Sequence, residues 1–218
     1  MIQEVSVHGA ATELDLTNGS SSPPLTMSFE EFLEWLDEDT HAEWVNGEVV
    51  FMSPISLPHQ KHGRFLLNLI NTFVIHRQLG EVCYEPFQMK VGLSLPSRAP
   101  DILFVANENL ARLRNTYLDG PADLAVEIVS PDDPDRDYVD KFQEYQTGGV
   151  REYWIIDPQR QEAHFYQLGQ DNLYQEITVG DDGIYRSAVL PGLWLRVAWL
   201  WQEPLPDVLA VLREWKLI

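Results

Sequence analysis

The sequence feature that most constrains this chain is a glutamate inside an apolar run, residues 124–129 (LAVEIV), in which Glu127 is the one polar side chain. A continuous apolar run of this length is typical of a β-strand that is buried on both faces. A carboxylate in such a strand loses its hydration, so it must neutralise, pair with a cation or bind a metal ion. We therefore expect Glu127 to have a specific partner elsewhere in the fold.

The length and composition predict one globular domain with appendages. The chain has 218 residues, of which 44% are hydrophobic, and this is enough for a sizeable core. No segment approaches the roughly 18 apolar residues of a membrane span, and the first residues lack the pattern of a signal peptide. We therefore expect a soluble, cytoplasmic protein with no membrane partner. Cys83 is the only cysteine, which excludes an intrachain disulfide and a cysteine-based metal site.

The formal net charge of −19 argues against broad, non-specific binding of nucleic acid, which depends on Lys and Arg side chains that displace counterions from phosphates. A local basic patch could still form from residues that lie close together in the sequence: Lys61, Arg64, Arg77, Lys90 and Arg98. A divalent metal ion would add positive charge at the site itself. A homodimer could gather two such patches around one groove.

The N-terminal part of the chain is predicted to hold an arm, a helix, a hairpin and a second helix. Residues 1–27 have no sustained periodicity, and we expect a flexible arm there. A capping-box pattern and the spacing of apolar residues predict a helix over about 28–38, and similar spacing predicts a longer helix over about 59–79. Between the two helices, Asn46-Gly47 joins two apolar segments, and this dipeptide favours the turn of a β-hairpin.

The rest of the chain is predicted to contain short strands and two helices. Apolar runs predict strands over 82–91, 101–105, 124–129 and 153–156, and helical spacing predicts a helix over about 136–147. Four short segments between residues 162 and 199 alternate with turn signals and predict a small antiparallel extension. A terminal helix is expected at about 206–215.

Two acidic residues are predicted to face the same way on neighbouring strands. Alternation places Asp101 on one face of its strand, and it places Glu127 on one face of the next. If these strands are adjacent, the two carboxylates can converge. Oxygen ligands suit hard cations such as Mg²⁺ or Mn²⁺, and Mg²⁺ takes one or two protein carboxylates and keeps its waters. This pair would suit metal-assisted hydrolysis of a phosphodiester.

Lys141 is the candidate cation near these acids. It shares one face of the predicted helix with Tyr138 and Tyr145, so it would be partly desolvated while the carboxylates favour its charged form. It could position the attacking water or stabilise developing charge. The alternative remains open that Asp101 is a turn residue, that Glu127 reaches solvent at a strand end, and that Lys141 is a solvated helix residue.

His59 and His62 are a second candidate metal-binding pair, since they stand three residues apart at the start of a predicted helix. No third ligand is apparent, so hydrogen bonding within the fold is the favoured interpretation. His59 could instead approach the active cleft.

Several motifs, taken together, resemble one known family. In order they are Glu43-Trp44-Val45-Asn46-Gly47-Glu48, Met52-Ser53-Pro54 with His59, Pro100-Asp101, Val126-Glu127-Ile128-Val129-Ser130-Pro131, Asp137 with Lys141 and Tyr145, and residues 149–158 (GVREYWIIDP). This order is similar to that of the Uma-two family of proposed endonucleases, part of the restriction-endonuclease-like PD-(D/E)XK superfamily. The resemblance covers about residues 28–168.

The resemblance implies an α/β fold with a restriction-endonuclease-like core, in which helices flank a central mixed sheet. On this interpretation residues 28–168 form the nuclease-like domain. Residues 169–218 form a C-terminal antiparallel β extension and a terminal helix packed on the same domain.

The resemblance also implies roles for individual residues. Asp101 and Glu127 correspond to the metal-binding acids, and Glu43 corresponds to a further acidic residue of the catalytic site. The superfamily usually has a lysine two residues after the second acid, but Val129 stands there in this chain. In this family the lysine is displaced onto the following helix, where it corresponds to Lys141.

Two functional hypotheses follow. The first is an Mg²⁺- or Mn²⁺-dependent endonuclease that hydrolyses DNA, with Asp101, Glu127, Lys141 and Glu43 as its catalytic residues. The second is a non-catalytic binding or assembly module that keeps the nuclease fold and meets a protein partner through its acidic surface. In the second case Lys141 would satisfy Glu127 internally.

Overall fold

Short strands and four α-helices make up the part of the chain that this computed structural model describes, which is residues 23–37 and 39–218. Most of the predicted N-terminal arm, residues 1–22, lies outside the described residues. The helices are α1 (Phe29–Trp35), α2 (Leu57–Arg77), α3 (Phe142–Gly148) and α4 (Val208–Glu214). The strands are β1 (Ala42–Val45), β2 (Glu48–Phe51), β3 (Gly80–Tyr84), β4 (Gln88–Lys90), β5 (Ser97–Arg98), β6 (Ile102–Ala106), β7 (Tyr117–Asp119), β8 (Leu124–Ile128), β9 (Glu152–Asp157), β10 (Glu162–Leu168), β11 (Tyr174–Glu176), β12 (Ile184–Arg186) and β13 (Trp194–Arg196).

The central layer is a six-stranded mixed sheet with the strand order β11-β10-β9-β8-β6-β3. Its one parallel pair is β8 with β9, and its other neighbours are antiparallel. A second sheet has the order β2-β1-β5-β4-β7, and β12 pairs with β13 as a separate ribbon. Together with the flanking helices, this mixed architecture confirms the predicted α/β class.

Side-chain alternation divides the buried residues between the two faces of the central sheet. Leu124, Val126 and Ile128 of β8 belong to the cluster that packs against α2 and α4, whereas Ala125 and Val129 pack with Tyr145 of α3. Glu127 lies on the same face as Ala125 and Val129, because successive side chains of a strand point to opposite faces. Both clusters are closely packed, so truncating a large buried ring of this kind to alanine costs about 3–5 kcal/mol.

Local signals explain several element boundaries. Ser28 and Glu31 form a reciprocal capping box at the start of α1. Asn46 and Gly47 adopt φ angles of 53° and 93° between β1 and β2, as the predicted hairpin turn requires. The predicted terminal helix is present as α4, and its N-cap is the Asp207 side chain, which accepts from the Ala210 amide.

The structure corrects one prediction about strands and refines another. The single strand predicted over 82–91 is two strands, β3 and β4, that belong to different sheets. Pro86 lies between them, and it lacks the N–H that a continuous ladder needs. The predicted antiparallel extension also divides, because β10 and β11 extend the central sheet while β12 and β13 stand apart.

Two strands were not predicted at all. β5 has two residues and β7 has three, which is too short for a periodic pattern.

Among the described residues, no helix combines the length and the apolar character that crossing a bilayer requires.

Candidate active site

The pairing of β6 with β8 brings the two predicted acids together. The strands are antiparallel with Ile102 opposite Val126, so the same register places Asp101 opposite Glu127 at the strand ends. The Asp101 carboxylate accepts a hydrogen bond of 2.6 Å from the backbone amide of Ile128, which fixes its position beside β8. The antiparallel register, not proximity in sequence, therefore makes these two residues neighbours.

Glu127 is 2% exposed, and both of its carboxylate oxygens have partners. Lys141 Nζ donates to Oε2 at 2.8 Å, and the Tyr145 hydroxyl donates to Oε1 at 2.7 Å. Burial and the nearby charge of Glu127 raise the pKa of Tyr145 well above its usual range, so this hydroxyl stays a donor. The structure thus brings Glu127 and Lys141 into direct contact.

Asp137 is a third acid at this position, it is buried, and it was not predicted as a site residue. Its Oδ1 atom lies 3.3 Å from Lys141 Nζ, but the two are out of line for a hydrogen bond, and this oxygen has no hydrogen-bond partner among the described residues. A π-helical turn, Arg136–Lys141, carries both residues directly before α3. The i,i+4 spacing of an acid and a lysine was the available sequence signal.

The three acids line one small cavity. Its volume is about 30 Å³, which is room for a cation or a water molecule but not for a nucleotide. The charged and polar side chains around it are those of Ser53, His59, Glu85, Asp101, Glu127, Ser130, Arg136, Asp137 and Lys141. The strand ends, the start of α2 and the turn before α3 therefore converge on a single acidic cavity.

The ionisation of these groups reflects burial and crowding of like charge. Burial raises the pKa of Glu127 well above its usual range; Lys141 opposes this, while Asp137 and Asp101 add to it. Burial likewise raises the pKa of Asp137 against the pull of Lys141. Burial lowers the pKa of Lys141, but the surrounding carboxylates outweigh this and raise it, so Lys141 is an ammonium. One lysine thus stands among more negative groups than it can neutralise.

This donor set fits a hydrated hard cation. Within residues 23–37 and 39–218, no three His, Cys, Asp or Glu side chains converge as a ready-made metal cage. Mg²⁺ does not need one, because it binds through one or two carboxylates and keeps several waters. Asp101 and Glu127 supply such carboxylates, and the unpartnered oxygen of Asp137 is a further acceptor beside them.

Glu43 lies behind Lys141 and does not line the cavity. It is fully buried, and it accepts from Arg98 Nη1 at 2.8 Å and from the Ala99 amide at 3.1 Å, with Lys141 Nζ at 3.6 Å. Burial raises the pKa of Glu43, but the charges of Lys141 and Arg98 outweigh this and lower it. Glu43 therefore contacts the lysine as a carboxylate from the side away from the cavity.

The two histidines separate. His59 Nε2 lies 3.2 Å from Asp101 Oδ1 at the cavity wall, whereas the ring nitrogens of His62 lie 2.8 Å from the carbonyl oxygens of Pro58 and Leu200. Burial lowers the pKa of His59, but its hydrogen bond to Asp101 and the charge of that carboxylate raise it overall. His62 is a structural residue, as the favoured interpretation held.

Two of the five residues named for the basic patch, Arg98 and Lys90, are buried. Arg98 is 4% exposed and forms a bidentate pair with Glu144 at 2.7 Å, in addition to its bond with Glu43. Lys90 is also buried, with its ammonium 4.2 Å from the centre of the Trp44 ring. These cations satisfy partners inside the protein and are not available to phosphates.

Comparison with known proteins agrees with this architecture. The model of the Uma2 family, described as "Putative restriction endonuclease", matches residues 29–198. A crystal structure from Anabaena variabilis ATCC 29413, described as a "putative nuclease belonging to DUF820", is similar with a TM-score of 0.65 and 20% sequence identity; the match covers 82% of this chain and 98% of that one. No curated protein matches the chain. Since the family model spans most of the sequence, the chain belongs to the Uma2 family of restriction-endonuclease-like proteins.

Proposed function

We propose that this protein is a metal-dependent endonuclease that hydrolyses DNA phosphodiester bonds, with Asp101 and Glu127 as ligands of Mg²⁺ or Mn²⁺. The observation that carries the proposal is the acidic cavity, where the carboxyl groups of Asp101, Glu127 and Asp137, the last two of them buried, stand around the ammonium of Lys141. Keeping such groups buried is costly unless they serve a charged ligand. Asp137 joins the set through its unpartnered oxygen.

Each residue around the cavity has a role in this proposal. The cation, when bound, supplies Lewis-acid polarisation of a phosphoryl oxygen and activation of water. Lys141 holds its ammonium at the cavity and stabilises negative charge that develops on the phosphoryl group. Tyr145 orients Glu127, and Glu43 keeps Lys141 charged from behind. Glu43 is therefore a positioning residue.

Cleavage of a supercoiled plasmid tests the proposal. We expect wild-type protein to nick or linearise the plasmid with Mg²⁺ or Mn²⁺ and not with EDTA, and Asp101→Asn and Glu127→Gln to lose at least about 100-fold, since each removes a metal ligand. Glu81→Gln, a neutralised acid at an exposed site on β3, is the matched control. Equal cleavage by all four proteins would indicate a contaminant, and an inactive wild type across both metals would refute the proposal.

A second candidate function is a non-catalytic module that binds a protein partner. One observation favours it: Lys141 and Tyr145 already satisfy both oxygens of Glu127. The net charge of −19 gives such a module an acidic surface for a basic partner.

Calorimetric titration with Mn²⁺ separates the two functions. The nuclease proposal expects Mn²⁺ binding by the wild type and its loss in Glu127→Gln. The module predicts no Mn²⁺ binding by either protein.

A further inference from the structure

Exposed aromatic side chains stand close to the acidic cavity. Phe51, at the end of β2, is 62% exposed, and Tyr84, at the end of β3, is 58% exposed. Trp35 of α1 is also exposed and contacts Phe51 edge to face, with ring centres 5.9 Å apart. Large exposed rings are costly in water unless they have a partner, so their position relative to the cavity matters.

The rings of Phe51 and Tyr84 border clefts that lie next to the acidic cavity. Phe51 lines a cleft of about 660 Å³, and Tyr84 lines another of about 320 Å³ on the side of Asp101. Ile55 and Glu85 belong to the walls of both clefts and of the acidic cavity. The three spaces therefore adjoin one another at these two residues and are together called the groove, and its two larger parts fall in the size range of ligand sites.

Cations in this groove are few. Arg64 lines the cleft of Tyr84 and Arg136 lines the acidic cavity, and neither has a carboxylate within 4.0 Å among the residues that the structure describes. The Nε atom of Arg136 is buried and has no hydrogen-bond partner there. These two guanidinium groups can contact phosphates of a strand that lies in the groove. A duplex, with about one charge per 1.7 Å, would need many more cations than these.

We propose that the substrate of this groove is single-stranded DNA, whose bases stack on Phe51 and Tyr84 while Arg64 and Arg136 contact its phosphates. The inference rests on the proposed nuclease function and names its substrate class. Stacking of an unpaired base on an aromatic ring contributes about 1–3 kcal/mol and needs no counterion release. This is the way in which an acidic protein with few free cations can still hold a nucleic acid.

Fluorescence anisotropy in EDTA tests binding without cleavage. A labelled 15-nucleotide single strand should bind wild-type protein at least about tenfold more tightly than the blunt duplex of the same sequence. Phe51→Ala and Tyr84→Ala should each weaken single-strand binding by about fivefold or more, which corresponds to the lower limit of one stacking contact. Tyr84→Phe keeps the ring and should bind normally. Leu173→Ala, which truncates an exposed apolar residue outside the groove, is the matched control.

Three results would overturn the proposal: no single-strand binding, equal or tighter duplex binding, or no effect of the two alanine variants. If these variants instead alter the sedimentation coefficient and leave DNA binding unchanged, the aromatic surface is a subunit contact. Metal-dependent cleavage of duplex DNA without preference for single strands would overturn this inference and leave the nuclease proposal intact. Single-strand binding by a protein that never cleaves DNA would refute the nuclease proposal and would leave the binding of single strands in this groove intact.

Discussion

Lys141 is the residue on which the charge balance of the site depends. Its ammonium lies 2.8 Å from Glu127, 3.3 Å from Asp137 and 3.6 Å from Glu43, and all four side chains are buried. Removing one member of such a group leaves uncompensated buried charge, which costs more than the pair contributes. The lysine is therefore structural as well as a candidate for catalysis.

Replacing Lys141 tests this balance. Lys141→Met should lower the free energy of unfolding by about 3–5 kcal/mol, because three buried carboxylates lose their common cation. Combining it with Glu127→Leu should recover a large part of the loss, and urea unfolding monitored by tryptophan fluorescence measures both. A double variant less stable than Lys141→Met alone would contradict the ion pairing of Lys141 with Glu127.

Glu43 gives the site a pH dependence of known sign. Its pKa is lowered in the folded protein from an ordinary value of 4.5, so its ionised form stabilises the fold above pH 4.5 and this contribution disappears as the pH falls through the lowered pKa. Glu43→Gln should therefore cost about 1.5–3 kcal/mol at pH 7. The cost should shrink below pH 4.5, and urea unfolding at pH 7 and at pH 3.5 compares the two. A cost that is the same at both values would refute the ion pairing.

At the scale of elements, two features of the backbone set the geometry of the site. The antiparallel register of β6 and β8 holds Asp101 opposite Glu127, and a slip of one residue would turn every side chain to the other face. The π-helical turn before α3 brings Asp137 and Lys141 to the same side. Wide turns of this type occur often at functional sites because they re-aim side chains within a helix.

Deleting one residue of the turn tests its contribution. Removal of Asp140, an exposed residue, should convert the turn to regular α-helix and change the spacing of Asp137 and Lys141 from i,i+4 to i,i+3. We expect normal circular dichroism and at least about a tenfold loss of Mn²⁺-dependent plasmid cleavage. Asp140→Ala, which keeps the length, should cleave normally. If the deletion variant matches Asp140→Ala, the turn does not position the site.

At the scale of the whole molecule, the charge distribution limits how nucleic acid can bind. The chain carries a net charge of −19, and Arg98 and Lys90, which the sequence offered for a basic patch, are buried in internal contacts. Arg64 and Arg136 are left to meet phosphates at the groove. Electrostatics can therefore supply only a small share of the affinity, and apolar contacts must supply the rest.

The salt dependence of single-strand binding measures the electrostatic share of the affinity. Each phosphate contact to a single strand contributes about −0.7 to the slope of log K against log salt concentration. Two contacts therefore predict a slope of about −1.4 for single-strand binding. Arg136→Gln should reduce the slope by about 0.7, whereas Arg186→Gln, outside the groove, should leave it unchanged. Anisotropy between 50 and 400 mM salt would give the slopes, and a wild-type slope steeper than about −4 would require cations other than these two.

Whereas the α/β class was implied by the family resemblance, the sequence by itself determined most helices and strands of the central sheet and the need of Glu127 for a partner. These follow from local periodicity, from caps and from the cost of a buried charge, which are properties of short segments. The extra strands β5 and β7 escaped prediction because two or three residues carry no period.

The tertiary structure alone decided which charged groups meet. Arg98 reaches Glu43 across 55 positions of sequence and Glu144 across 46, and no local pattern reports such a contact. The same long-range packing buried two cations of the expected basic patch, Arg98 and Lys90. It also left an oxygen of Asp137 without a hydrogen-bond partner among the residues that the structure describes. Local patterns fix which segments are apolar, but burial and charge at a site depend on how distant segments pack together.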